Sequence, residues 1–524
     1  MKKSKIFQKI CCTLLAALSV GTVFSAGACN TVEFKDLEIP EGGYDGSAVK
    51  LMFYHTMGQD LSAQLDKALA EFKKLYPNIT VEWKQVGGYD DVRDKIKKEL
   101  IVGKQPNIAY CYPDHVASYN VAGGVQPLDD LIASTIVEER ADGTTETLGL
   151  TAEQIADFIP GYYNEGKAFG DLNGDGVDEM YTMPFSKSTE VLFYNKTYFD
   201  DMQRLYQNEY VVNAKGEFVL DEKGQKIASV GYQNENYNLF VPTTWEQMET
   251  ICQRLKVLDP NCIPLGYDSE ANWFINMCEQ YESPYTSVSG DKRFLFDNET
   301  NWNFVAKFRE WFQKGYVTTQ EIFGAYTSGL FNNIPTEKNP TRSYMGIGST
   351  AGAAKQRPAK GTTGYPFETG IAPIPQVNPA KPKVISQGPS VCIFKKDNPQ
   401  EVIASWLLVK YLTTDVFFQG DFSMVSGYMP VIQSVGDDPF YKNQFLKKAD
   451  GFDYVTALSV KVALEQADAY YVSPAFRGSS VARDQVGLLL RNAFTKEPSL
   501  TGDAAMDFIK RLFDEAVAEC EYQA

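Results

Sequence analysis

Histidine is almost absent from this 524-residue chain, with only His55 and His115 present. No His-Glu-x-x-His pair and no Gly-x-Ser-x-Gly elbow occurs, so the zinc-protease and serine–histidine mechanisms lack their signatures. No Walker loop or Gly-x-Gly-x-x-Gly turn follows a strand pattern, which removes the usual phosphate cradles. Positive charge is also short. Lys and Arg total 50 against 67 Asp and Glu, a net charge of −17 with no basic run, which opposes binding to nucleic acid or to an anionic membrane surface. Cysteine is sparse: after Cys29 only Cys111, Cys252, Cys262, Cys278, Cys392 and Cys520 remain, without CxxC or Cys/His metal spacing. A bond among Cys252, Cys262 and Cys278 and a set of buried free thiols both fit that count. No repeat of 20 to 50 residues is visible.

What is present begins at the N-terminus. Lys2, Lys3, Lys5 and Lys9 precede an apolar run over 10–26 that stops at Ala26-Gly27-Ala28 and Cys29. This is the pattern of a secretory signal, with 1–28 removed. A Cys directly after small residues is the acylation site of bacterial lipoproteins, which makes Cys29 the expected anchor. Ala26 stands where that pattern usually has Leu, and Ala-x-Ala also suits ordinary cleavage. Residues 30–48 are rich in Pro, Gly and acidic side chains without an apolar period, so 29–48 reads as a tether.

Removing 28 residues leaves 496, more than one hydrophobic core serves, and two or more lobes are expected. The body opens with a strand pattern at 49–54, a helical period through Leu61, Leu65, Leu69 and Phe72, and alternation at 79–83. A helix over 92–102 and an apolar run at 108–112 follow. Strands alternating with helices predict an α/β layer fold with ligand loops at the carboxyl ends of the strands. The stretches 138–181 and 208–241 are polar and turn-rich and read as insertions. The second holds a predicted hairpin about Asp221-Glu222-Lys223-Gly224. Helices return over 244–258, 302–314, 399–412 and 504–518.

The order of certain phrases then carries a resemblance. Gly103-Lys104-Gln105-Pro106-Asn107-Ile108, Gly123-Gly124-Val125-Gln126-Pro127-Leu128, and Met183-Pro184-Phe185 before Leu192-Phe193-Tyr194-Asn195-Lys196 come first. Pro242-Thr243-Thr244-Trp245, Gly370-Ile371-Ala372-Pro373-Ile374-Pro375 and Ser426-Gly427-Tyr428-Met429-Pro430-Val431 come later. The chain resembles the extracellular solute-binding proteins of family 1, to which the maltodextrin-binding protein belongs. The family usually has Asp where Asn107 stands. The resemblance implies a periplasmic-binding-protein-like fold: two α/β lobes joined by hinge crossings, with a ligand cleft between them. It places lobe 1 at 49–185 and 390–468 and lobe 2 at 186–389 and 469–524. Crossings are expected near 181–192, 387–394 and 468–473. It further implies an ABC permease as partner, a monomer held at the extracytoplasmic face of the membrane by its lipid anchor, and an oligosaccharide or other small solute as ligand.

Sugar sites pair aromatic planes with carboxylates and amides, and the chain has 30 Tyr, 32 Phe and 6 Trp. By the resemblance, the loop after the first strand (Tyr54, His55, Thr56) and the loop after the third apolar run (Tyr112, Asp114, His115) face the cleft. In maltodextrin-binding relatives the latter loop has a Trp and an Asp-Arg pair; here Asp114 is kept, and neither the Trp nor the Arg is. The first crossing carries Lys187, Ser188 and Glu190, and the relatives' acidic position falls on Ser188. Maltodextrin itself is therefore in doubt. Trp273, Ser349, Gly388 and Tyr428 complete the expected ligand set, with Trp273 as a stacking platform.

The sharpest local motif is Asp171-Leu172-Asn173-Gly174-Asp175-Gly176-Val177-Asp178-Glu179. Oxygen ligands from Asp171, Asn173, Asp175 and Glu179, a backbone carbonyl at Val177 and Gly176 for the turn are what a Ca²⁺ loop needs. It resembles the loops of dockerins and integrin-type repeats, except that Thr182 takes the place of the bidentate carboxylate. A structural Ca²⁺ is expected and no catalytic cofactor. Two carboxylates across a cleft can also hydrolyse a glycosidic bond. A secreted glycoside-active enzyme and a polysaccharide-gripping surface protein are the alternatives to a binding protein without enzymatic activity.

Overall fold

The computed structural model describes residues 34–523 except 171–175, 233, 289, 363 and 448–453. Its first strand, β1 (Val49–His55), buries Val49, Leu51 and Phe53 on one side. Helix α1 (Gln59–Leu75) lays Leu65, Ala68 and Phe72 onto that side, the spacing of one helical face. Strand β2 (Ile79–Gln85) then pairs parallel to β1, in register Val49 to Ile79. Helix α2 (Tyr89–Leu100), β3 (Ile108–Cys111) and α3 (Pro113–Asn120) repeat the unit.

Two very short links carry the chain between two sheets. Strand β4 (Met183–Pro184) ends in the first sheet and β5 (Ser188–Asn195) begins in the second. The second lobe continues with α4 (Trp245–Leu258), β6 (Leu265–Tyr267), α5 (Glu270–Gln280), α6 (Glu299–Gln313) and β7 (Val317–Thr319). Strands β8 (Met345–Ser349), β9 (Thr369–Pro373) and β10 (Val384–Gln387) follow. The return link is residues 388–389, after which β11 (Ser390–Ile393) rejoins the first sheet. Helices α7 (Pro399–Thr414), α8 (Val416–Ser426) and α9 (Tyr454–Glu465) lead to β12 (Tyr470–Tyr471), α10 (Ser479–Thr495) and α11 (Gly502–Gln523).

The first sheet has the order β2-β1-β3-β11-β4; the second is β12-β10-β5-β8-β6-β7, with β9 also on β5. Each sheet has its own core, one around Leu51, Phe53 and Trp406 and one around Leu265, Tyr267 and Trp311. Helix α9 spans both. Its Ala457, Val460 and Ala463 face the first core, while Val455 and Val462 pack beside Val191 and Phe193 of β5.

At the links the backbones nearly touch. A Cβ on Gly388 would lie 2.6 Å from the carbonyl oxygen of Ser186, and Gly388 has φ +107, a conformation that glycine alone adopts cheaply. Lys187, fully enclosed there, pairs with Glu165 at 2.5 Å and also donates to Ser390 Oγ at 3.1 Å and the Gly388 carbonyl at 3.3 Å.

The stretch 34–48, expected as part of a tether, lies along lobe 1. The Asp45 N–H donates to Gln400 Oε1 at 3.0 Å, and Gln400 Nε2 returns a bond to the Gly43 carbonyl at 3.1 Å. Leu37, Ile39 and Tyr44 pack on the core, an irregular apolar spacing that suits an extended strap and escapes a search for helix or strand periods. The hairpin around 221–224 is present, closed by the bridge Leu220 to Lys226, and a second turn before it is closed by Val212 to Phe218. All six described cysteines are buried and unpaired, so the free-thiol alternative holds among the described residues.

Candidate ligand cleft

The carboxyl ends of both sheets face one another across a cavity of about 720 Å³, within the range of small-molecule sites. Its lobe 1 wall is tyrosine-rich. Tyr112 precedes α3 at the end of β3, with Pro113 starting the helix, and Tyr89 opens α2 after Gly88. Their rings lie 4.6 Å apart, and Tyr89 Oη is 3.3 Å from Tyr428 Oη. Tyr428 is delivered by Gly427, whose φ of +77 ends α8; a Cβ there would sit 2.4 Å from the Thr350 carbonyl of lobe 2. Asp114, in the first turn of α3, accepts the His115 N–H at 3.0 Å. His115 places Nε2 3.8 Å from Asp90, and burial lowers its pKa.

The lobe 2 wall is polar. Glu190 on β5 is buried, with no cationic partner in contact among the described residues. It accepts from Tyr267 Oη at 2.6 Å, Asn272 Nδ2 at 2.8 Å and Asn276 Nδ2 at 2.7 Å. Asn272 also bonds Gln387 at 2.9 Å and accepts from Arg483. Asp268, at the end of β6, is held by the N–H and Oγ1 of Thr327, each at 2.7 Å. Across the mouth Arg93 of α2 reaches Asp484 of α10 at 3.5 Å. A smaller cavity of about 60 Å³ shares Tyr112, Asp114, Gln387 and Arg483.

Burial pushes the Glu190 carboxyl up to about 7, against the lowering effect of the Tyr267 and Asn272 hydrogen bonds. The folded state thus holds this proton from pH 4.5 to about 7 while the unfolded chain has released it. Stability on this account falls as pH rises through that window, by about 3 kcal/mol. His55, whose pKa burial lowers from 6.5 to about 4, acts with the opposite sign. The expected outcome is therefore a difference: urea melts at pH 4.5 and 7.5 show a slope in the parent that Glu190→Gln makes more positive by that amount. Equal slopes would show that Glu190 ionises normally.

Of the expected ligand residues, Asp114, His115, Ser188, Glu190, Ser349 and Tyr428 line the cleft. Five are elsewhere, for physical reasons. Tyr54 packs in the lobe 1 interior with its hydroxyl 3.4 Å from Glu99, and His55 accepts the Met57 N–H at 3.1 Å inside a cage of Phe53, Trp83 and Tyr110. Lys187 and Gly388 belong to the links described above. Trp273 is fully enclosed, stacked 4.9 Å from Tyr267 and 4.2 Å from Phe308. It follows Asn272 on α5, and one helical step turns it by about 100° from the cleft face into the core. Tyr112, which the resemblance also set at the cleft, lines it, and Tyr89, Asp268, Asn272, Gln387 and Arg483 do so outside the expected set. Asp268 and Gln387 end or follow strands and were findable by the carboxyl-end rule. Nothing in the sequence singles out Arg483. Asp171, Asn173 and Asp175, expected as Ca²⁺ ligands, lie outside the described residues together with Cys29; Val177 is exposed and Glu179 buried.

Residues 67–449 match the bacterial extracellular solute-binding proteins, and the chain belongs to that family. It is 21% identical over 406 residues to a maltotriose-binding protein of Pyrococcus abyssi, covering 75% of this chain and 69% of that one. Among solved structures, UgpB from Mycobacterium tuberculosis with glycerophosphocholine aligns at TM-score 0.64 and 15% identity, over 91% of this chain and 100% of that one. Maltose-bound MalE3 of T. maritima aligns at 0.61 and 16%, with the same coverages. These likenesses show the two-lobed fold. Among the described residues no helix is long and apolar enough to cross a membrane.

Proposed function

We propose that this chain is the carbohydrate-capturing subunit of an ABC importer, exported by residues 1–28, acylated at Cys29 and acting as a monomer that hands an oligosaccharide to the permease. The observation that carries the carbohydrate reading is the facing of two unlike walls. Tyr89, Tyr112 and Tyr428 offer flat apolar surface for sugar C–H faces, opposite the Asp268, Asn272, Gln387 and Arg483 groups that suit hydroxyls. The maltotriose- and maltose-binding relatives support it. Binding without turnover is favoured because Glu190 is enclosed and already engaged by Tyr267, Asn272 and Asn276, so it is not presented to a solute as a free acid or nucleophile. In the 171–179 loop, Ca²⁺ bound by Asp171, Asn173, Asp175, the Val177 carbonyl and Glu179 would stiffen the approach to β4.

Thermal shift tests this reading, since a ligand of the native state raises its stability with concentration over Kd. The mature chain is expected to melt higher with maltotriose or a related oligosaccharide, and Tyr112→Ala to weaken that ligand at least tenfold, about 1.4 kcal/mol. Its unliganded melting temperature should barely change. A rise with glycerophosphocholine or an amino acid and none with any sugar would overturn the carbohydrate class. Repeating the scan with Ca²⁺ reads the loop: a rise that Asp175→Ala abolishes supports it, and no Ca²⁺ effect on the parent removes it.

A further inference from the structure

We infer that the end of lobe 1 farthest from the cleft is a contact surface for anionic phospholipid headgroups; this rests on the acylation of Cys29. Helices α2 and α3 both start at the cleft and run away from it, so their far ends meet at the opposite pole of the lobe. There the chain leaves apolar side chains in solvent: Ile101 is 73% exposed, Val102 58% and Val121 62%. These positions form one patch. A Cβ on Gly124 would lie 2.5 Å from Leu100 Cδ2 and 3.1 Å from the Phe34 ring, so the turns after α2 and α3 converge on the strap's first described residue.

Lysines surround the patch. Lys35, Lys97, Lys98 and Lys104 are exposed and have no ion-pair partner among the described residues, whereas neighbouring Lys95 and Lys395 are taken by Glu99 and Asp36. The net charge of −17 opposes a membrane at long range. Screening over roughly 10 Å leaves the local sign to decide at contact. Basic side chains beside exposed aliphatic ones are the composition that adheres to an anionic interface.

The strap supplies the geometry. Because residues 34–48 are fastened to lobe 1, Cys29 stands only five residues from a fixed point, at most roughly 17 Å from Phe34 by chain length alone. The pole carrying Phe34 is therefore the part of the protein that an anchored chain holds nearest the bilayer. A tether this short raises the effective concentration of the patch at the surface, so weak individual contacts suffice. In this pose α2 sets the cleft about 18 Å farther out, the length of its twelve residues.

The test is amide hydrogen exchange on the full acylated chain, compared in detergent, in vesicles with phosphatidylglycerol and in vesicles of phosphatidylcholine alone. Exchange at 101–104 and 121–123 is expected to slow at least threefold in the phosphatidylglycerol vesicles only. The double variant Ile101→Asp, Val102→Asp should lose that protection while unfolding at the parent's temperature, both side chains being exposed. Equal exchange in all three settings for acylated protein overturns the inference. Absence of an acyl mass on Cys29, read separately in the intact mass spectrum, removes the anchor and overturns it with the lipoprotein reading.

Discussion

Lys187→Met is expected to lower the unfolding free energy by about 3–5 kcal/mol, measured by urea melts at pH 7. The ammonium and the Glu165 carboxylate are 2.5 Å apart with side-chain exposures of 0% and 3%, so neither exchanges its partner for water. Removing the cation strands a carboxylate in a low-dielectric link, and its desolvation is no longer offset. The pair itself need not be a net gain over apolar packing. Accordingly Lys187→Met with Glu165→Leu should recover most of the loss. A single variant as stable as the parent would show that water reaches the link. The same substitution loosens the joint, since Lys187 also bonds the Gly388 carbonyl and Ser390 on the return strand.

Trp273→Ala is the second large effect, again about 3–5 kcal/mol, through the cavity left among Tyr267, Phe308 and Trp245. The ring stacks at 11° to Tyr267, whose hydroxyl donates to Glu190, so collapse of the cavity also disturbs the cleft floor at one remove. Trp273→Phe should cost less, because Nε1 has no hydrogen-bond partner among the described residues and only ring volume is lost. A platform for sugar would behave in the reverse way. Affinity would fall while the melt held, and that pairing of results would return Trp273 to the ligand set.

These two residues illustrate what the sequence can carry. Period-2 and period-3.6 patterns placed β1, α1, β2 and α2 close to their observed spans, because each buries one face against a neighbour in sequence. The family resemblance led to Asp114, Ser188 and Glu190, and the end of an apolar run to Ser349, and all four do line the cleft. Local order cannot say which of two adjacent helical residues turns inward, and Asn272 and Trp273 divide on that choice. Nor can it say what a distant helix brings: Arg483 and Asp484 reach the cleft only because α10 packs on α5 and across from α2. Irregular apolar residues in the strap were invisible to a search for periods, though they fasten 34–48 to the lobe.

Two of the three passages between the sheets are only three and two residues long, 185–187 and 388–389, and the third runs through α9 to β12. Segments that short have almost no slack, since each residue adds at most about 3.5 Å of reach. Such a joint passes torque and resists stretch, so the lobes are free to swing but hardly to slide. If the chain captures solutes as proposed, solute size would be read as an angle: a bulkier guest would prop the jaws wider, and a surface receiving the loaded protein would meet rims whose spacing reports what lies between them.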